Sequence, residues 1–279
     1  MSKTKLETIK GKVPVLVAIL IIVLAFIWLA GRCSHNLTST ITNDYSRPGG
    51  DTLAVAIEMS PMSYQISGDT VSGFDYEMLR DIAAQHSLNI KFQPFAPLDY
   101  AYDGLRRGDF DIVVASVPSS ADAGDDLAFT DDIYIDRQVL VCRKDSANND
   151  SAVPAQLCLL GDTVWVTESS PFKKRLVNIS HELGDTIFIR SNPDYSSEHL
   201  VILVGLGEIK QAVVNESVAR RIAADYPDID ISTPVSLNQF QPWIVPKNRP
   251  ELLDSLNGWI RQYKETQRYR DLEAKYLNR

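Results

Sequence analysis

Cysteine is scarce: three in 279 residues, which excludes a disulfide-built scaffold. Cys33, Cys142 and Cys158 form no CxxC pair, and both a Cys142–Cys158 bridge and two free thiols fit their spacing. Histidine is scarce too. His35, His86, His181 and His199 are scattered without metal-ligand spacing, and His181-Glu182 lacks the second histidine of HExxH. Surface or capping roles are expected for all four. No GxSxG and no phosphate loop occur, and Lys210 stands where a dinucleotide loop opening at Gly205 needs its third glycine. Asp122, Asp125 and Asp126 are acidic neighbours without EF-hand spacing, so a solvated loop is expected there. With no acid–base pair standing out, the expectation is a chain that is not an enzyme and has no cofactor and no metal. Basic charge is concentrated at the start. Residues 1–32 carry five basic residues against one acid, so the net charge of −8 becomes −12 beyond them. An acidic part with no basic stripe argues against a nucleic-acid partner.

One long apolar run is present. Residues 13–30, VPVLVAILIIVLAFIWLA, contain no charged side chain. At ~1.5 Å per residue an 18-residue helix is ~27 Å long, close to the ~30 Å hydrocarbon core of a bilayer. Trp28 sits near one end, as an interfacial aromatic would. Four lysines precede the run and Arg32 alone follows closely, so the N-terminus (1–12) is expected in the cytoplasm and the rest outside. A cleavable leader has a shorter apolar core. A lipidated Cys33 would need Cys directly after Leu29-Ala30-Gly31, where Arg32 intervenes. An uncleaved transmembrane anchor over 13–31 is the preferred reading, with lipidation and cleavage as alternatives. It places the protein in the cell inner membrane, single-pass, with its soluble part periplasmic. Residues 32–51, polar and ending in Pro-Gly-Gly, read as a flexible stalk.

From Leu53 onward strands and helices alternate, which implies mostly parallel sheets. LAVAI (53–57) reads as a strand. Phe74, Met78 and Ile82, with Leu79 and Ala83, form the apolar stripe of a helix that Asp75 could cap. Residues 89–93 read as a strand, 98–107 as a helix ended by Gly108, and FDIVVAS (110–116) and QVLVCR (138–143) as buried strands. A second cycle has strands at 163–166, 186–190, 211–215, 229–231 and 242–245. Its helices fall at 171–183, 197–204 and 216–225, and two more close the chain at 250–263 and 268–277.

The segments GFDYEMLRDIA (73–83), LRRGDFDIVVASVPSS (105–120), AFTDDIYIDRQVLVCRK (128–144), GDTVWVTESSPFKKRL (161–176), LVGLGEIKQAVVNE (203–216) and LLDSLNGWIRQYKETQRYRDLEAKYL (252–277) together resemble the extracytoplasmic solute-binding proteins of family 3. The tail is also similar to the non-catalytic N-terminal module of membrane-bound lytic transglycosylase F. The resemblance covers nearly all of 52–279. It implies an α/β, two-lobed, type II periplasmic-binding-protein-like fold behind the N-terminal transmembrane helix. Lobe one would be 52–140 plus 246–279 and lobe two 141–245, with hinge crossings near 141–145 and 239–245. Such lobes trap a ligand by hinge closure.

In that family an arginine shortly after the strand matching 110–116 holds the ligand carboxylate, as a bidentate guanidinium suits. The resemblance puts Ala123 there. An aspartate that holds the ligand amine corresponds to Asn215, and a stacking aromatic corresponds to Leu98. The remaining candidates are polar. Ser116, Ser119 and Ser120 follow a strand end. Ser169 and Ser170 precede a helix start with Pro171 in its first turn, where backbone N–H groups can face an anion. Glu58 ends the first strand, and Asn215 keeps an amide. For the serines, pure capping competes with ligand contact. For Tyr134, packing is the preferred role. The expected function is a membrane-anchored extracytoplasmic domain that binds or senses a small ligand: amino acid-like, a peptide or a cell-wall fragment. A permease or another envelope protein is a possible partner. The alternatives are a regulatory or remnant module of a lytic transglycosylase-like envelope protein lacking the catalytic domain, and a scaffold that kept the fold and lost its ligand.

Overall fold

The structure is a computed structural model and describes residues 52–95, 97–121, 123–144, 159–168 and 170–277. The apolar run, the stalk, Cys33, Cys158 and Ser169 lie outside them, so the expectations of an anchor and of a Cys142–Cys158 bridge do too. Among the described residues no helix is long and apolar enough to cross a membrane.

The chain begins with β1 (Thr52–Glu58), the short hairpin β2 (Gln65–Ser67) and β3 (Thr70–Ser72), α1 (Phe74–Gln85), β4 (Asn89–Phe95), α2 (Leu98–Arg107), β5 (Ile112–Val114) and β6 (Leu127–Asp136). β1 pairs in parallel with β4 on one side and β5 on the other. Parallel neighbours need crossover connections, which α1 and α2 supply. Ala54, Val55, Ala56 and Ile57 are all at 0% exposure, which explains why β1 reads as an unbroken apolar run rather than an alternating one. The stripe on α1 is buried as expected.

Asp75 corrects the expectation of a cap. No side chain caps α1, whose N-cap position is Gly73. Asp75 is instead buried, accepting from Ser63 Oγ at 2.8 Å and from Trp243 Nε1 at 2.9 Å. Glycine is required at position 73. Its φ is +145°, and an added Cβ would lie 2.3 Å from the Ser63 carbonyl oxygen. β6 was not anticipated. Its acids Asp131 and Asp132 break the apolar pattern, while Leu127, Thr130, Ile133, Tyr134 and Asp136 are buried.

The chain continues with β7 (Gln138–Arg143), β8 (Thr163–Trp165), α3 (Lys173–Leu183), β9 (Phe188–Arg190), α4 (Ser197–Leu206), β10 (Gln211–Asn215), α5 (Glu216–Ala223), β11 (Ile229–Pro234), β12 (Gln239–Pro246), α6 (Pro250–Lys264) and α7 (Gln267–Tyr276). The strands form two five-stranded sheets, ordered β4-β1-β5-β12-β6 and β11-β7-β10-β8-β9. The second sheet alternates with period two. Val139, Val141, Ala212 and Val214 pack with the buried side chains of α4 and α5, and Leu140 and Val213 with those of α3. Two helical layers thus sandwich this sheet. Ser196 caps α4 in a reciprocal box with His199, a capping role of the kind expected for the histidines.

The strand partners place the sheet-to-sheet crossings earlier than the expected 141–145 and 239–245. β6 pairs in the first sheet through Asp136 and β7 in the second from Gln138, so the first crossing is Arg137. The second spans 235–238, between β11 and β12. The apolar composition of 138–143 and 242–245 marks them as strands but carries no sign of which sheet they join. α6 and α7 return to the first sheet. Tyr276 OH accepts from Gly73 N–H at 2.9 Å, and Tyr269 OH donates to the Ile133 carbonyl at 2.6 Å.

Candidate functional site

The carboxyl ends of β1, β5 and β10 meet where the two sheets face each other, the position at which α/β folds place ligands. Glu58 closes β1, and its Oε2 accepts the Ser116 N–H at 3.0 Å. Ser116 Oγ shares a hydrogen bond with Tyr134 OH at 3.3 Å. From the other lobe Asn215 Nδ2 donates to the Ser116 carbonyl at 3.4 Å. Asn215 is 3% exposed and its Oδ1 has no hydrogen-bond partner. A buried acceptor left unpaired costs about 1–3 kcal/mol.

Burial pushes the Glu58 carboxyl above its ordinary range, and the two hydrogen bonds from Ser116 pull only part of the way back. Asp75 is pushed up to about 6 by burial, with the Glu58 charge adding to the shift. Burial, and then the Asp75 and Asp136 charges, push the Tyr134 phenol well up. Asp136 ends β6 beside the first crossing. It is held at about 6 by burial, accepting from Ser217 Oγ of the other lobe at 2.5 Å and from Arg137 N–H at 2.8 Å. Burial thus raises three carboxyls on the lobe-one face of this region, Glu58, Asp75 and Asp136.

Two hollows lie between the lobes. The first is the more enclosed of the two and is lined by Glu58, Ser116 and Asn215, with Thr167, Glu168 and Tyr195 from lobe two. Its cavity of about 60 Å³ holds roughly four to six waters at about 10–15 Å³ each. The second is an open hollow of about 510 Å³ and includes Ser120, Gln138, Ser170 and Gln239, with three consecutive cations, Lys173, Lys174 and Arg175. Leu98, Pro171 and Phe172 line both and separate them.

The structure thus brings Glu58, Ser116 and Asn215 together. Ser119 lines neither hollow; it is exposed, and its N–H donates to the Phe240 carbonyl at 2.9 Å. Ser120 Oγ accepts from Gln239 Nε2 at 2.9 Å on the open side. Ser170 Oγ accepts the Phe172 N–H at 3.2 Å, a local turn contact ahead of α3, while the residue lines the open hollow. Tyr134, expected to pack, both packs on Phe74 and reaches Ser116. Sequence reasoning missed Tyr195 and the Thr167–Glu168 pair. Tyr195 sits in an irregular loop with no period to flag it, whereas Thr167 and Glu168 follow the end of β8 and could have been found by the strand-end rule.

Residues 52–279 match the bacterial extracellular solute-binding proteins, family 3. The chain belongs to that family. Curated relatives include membrane-bound lytic murein transglycosylase F of Shewanella pealeana, 24% identical over 81% of this chain and 46% of the relative, and its counterpart from Photobacterium profundum, 26% identical over 77% and 42%. The chain spans less than half the length of these relatives. Among solved structures, an ancestral arginine-binding protein bound to arginine aligns with a TM-score of 0.69 at 20% identity, covering 81% of this chain and 98% of that one. Holo ArgBP from T. maritima aligns with a TM-score of 0.64 at 22% identity, covering 81% and 96%. These likenesses establish the two-lobed α/β fold.

Within the family 3 frame, the Ala123 position has an arginine near it after all. Arg106 of α2 donates to the Ala123 carbonyl at 3.0 Å. That guanidinium is committed to Asp126 at 2.8 Å and lines neither hollow between the lobes. It braces the loop from behind. Among the described residues no group of three or more His, Cys, Asp or Glu is arranged to hold a metal ion.

Proposed function

We propose that this chain is a binding domain whose lobes close on a small ligand carrying a protonated amine, with Glu58 as the counter-charge and Asn215 Oδ1 as a second acceptor. The observation that carries this reading is the unpartnered, buried Asn215 Oδ1 in a residue that lines the same hollow as Glu58 and, like it, is hydrogen-bonded to Ser116. An ammonium group brings three donors and a positive charge, which satisfies one atom and offsets the burial of the other. The arginine-bound relative and the family membership favour an amino acid-like or peptide ligand. The cavity of about 60 Å³ is small for such a molecule, so the lobes part to admit it. The apolar run at 13–30 is proposed to tether the domain on the outer side of the inner membrane, where confinement raises its effective concentration for neighbours.

Calorimetric titration of the full chain in detergent with amino acids, short peptides and muropeptides tests this. The expected result is saturable binding that weakens on Glu58→Gln; no binding across the whole set overturns it. The tether is tested by alkaline extraction of membranes, from which an anchored chain stays in the pellet.

A second reading is that the domain senses cell-wall fragments on behalf of a peptidoglycan-acting protein. The likeness to murein transglycosylases favours it. Muropeptides binding more tightly than free amino acids in the same titration would select it, and the reverse order would dismiss it.

A further inference from the structure

We propose that the open hollow on the far side of Leu98 and Phe172 is a carboxylate subsite, so that the cleft reads an amine at one end of its ligand and a carboxylate at the other. The proposal rests on the amine-reading function above and extends it.

Four observations support it. Lys173, Lys174 and Arg175 line this hollow in a chain that carries −12 beyond residue 32, against the single lining acid Asp99. Consecutive helical residues fan out by about 100° each, so three in a row face one hollow only where it caps the first turn, where the helix dipole also favours an anion. Gln138 lines the same hollow at 2% exposure, and its Nε2 has no hydrogen-bond partner. That orphan is a donor, the complement of the Asn215 acceptor on the enclosed side. Gln239 Oε1, also buried and unpartnered, lines the hollow and suits an N–H adjacent to the carboxylate.

The cations are not equally available. Arg175 is engaged by Glu182 at 3.0 Å, and Lys173 Nζ by the Glu168 carbonyl and Ser191 Oγ. Lys174 is exposed and forms no ion pair or hydrogen bond among the described residues. Lys174 and Gln138 are therefore the residues that would meet the carboxylate, with Lys173 and Arg175 supplying field. This placement differs from a single arginine after β5, the position that Ala123 leaves without a guanidinium of its own.

The test uses two half-ligands on the full chain in detergent, each followed by saturation-transfer NMR with chloride as the ionic-strength control. N-acetylglycine has the carboxylate and N–H but no amine; glycinamide has the amine but no carboxylate. N-acetylglycine is expected to bind and to lose about tenfold or more in affinity on Lys174→Glu, with a smaller loss on Gln138→Leu. Glycinamide is expected to be indifferent to both and to be lost on Glu58→Gln. An N-acetylglycine affinity unchanged by Lys174→Glu, or displacement by equimolar chloride, overturns the subsite. Inorganic phosphate, followed by its effect on melting temperature, separates the two oxyanion classes; phosphate binding without N-acetylglycine binding also overturns it. If glycinamide binds and N-acetylglycine does not, this inference alone fails. If neither binds, the proposed function fails with it.

Discussion

The two hollows between the lobes differ in both charge and enclosure. The enclosed one is lined by Glu58, and the lobe-one core behind it, its floor, holds Asp75, which feels the Glu58 charge, and Trp243, at 1% exposure, whose indole N–H holds Asp75. The open one is walled by the solvent-facing start of α3 and holds its cations at the surface. A charge sunk in protein is expensive and specific, while a charge in water is cheap and adaptable. The proposed ligand would therefore meet fixed groups on one side and adjustable ones on the other. That contrast can be broken, and the largest effect is expected at the floor. Trp243→Ala should destabilise the domain by about 3–5 kcal/mol, since it empties a fully buried volume. It also strips a donor from a buried carboxylate. Denaturant melts of the variant check this, and a loss under about 1 kcal/mol would mean the floor is not rigid.

The next effect is on pH. The folded-state pKa of Asp75 and of Asp136 is raised to about 6, so each is more readily protonated folded than unfolded. Their contribution is fully present below the ordinary aspartate value near 3.8 and is lost as pH rises through about 6. For each group this amounts to at most about 3 kcal/mol. Glu77 and Asp81, ion-paired with Lys275 and Arg268, have lowered values and run the other way, losing their contribution as pH falls through those values. Asp75→Asn should therefore flatten the fall in melting temperature between about pH 4 and 6.5 relative to the parent. An unchanged pH profile in the variant would show that Asp75 is not the titrating group.

Binding effects come third. Glu58→Gln keeps the shape of the enclosed hollow and removes its charge, and should weaken an amine ligand by about 1.5–3 kcal/mol, roughly 10- to 150-fold. Asn215→Asp tests the same side with the opposite sign. It gives the orphaned acceptor a charge and should tighten the amine ligand at neutral pH, unless the new acid stays protonated beside Glu58. Titrations at pH 6 and pH 8 separate those outcomes.

How much of this was legible in the sequence follows from the same physics. The strands of the first sheet announced themselves where both faces are buried, as in β1, because continuous apolar runs have no other explanation in a short segment. β6 did not, because one of its faces carries Asp131, which pairs with Arg261 of α6, a partner 130 residues away. Glu58, Ser116 and Asn215 could be named as candidates since strand ends are visible locally. Their mutual contacts span 58 and 99 residues and could not be read from spacing. Asp75 shows the limit most clearly. Its position at a helix start predicts a cap, yet its partners Ser63 and Trp243 come from a loop 12 residues earlier and a strand 168 residues later. Local chemistry set the expectation and tertiary burial overrode it.

The smallest expected effect sharpens the comparison most. Lys174→Ala removes an exposed side chain with no ion pair or hydrogen bond among the described residues, so stability should change by no more than about 0.5 kcal/mol. On the enclosed side no such clean separation is available, because Glu58 and Asn215 each hold Ser116 as well as facing the hollow. A Lys174→Ala protein that melts like its parent but binds a carboxylate more weakly would place the loss in recognition alone. A matching fall in stability would mean that the start of α3 depends on Lys174 for its structure. The difference between a fixed side and an adjustable side of the cleft would then disappear.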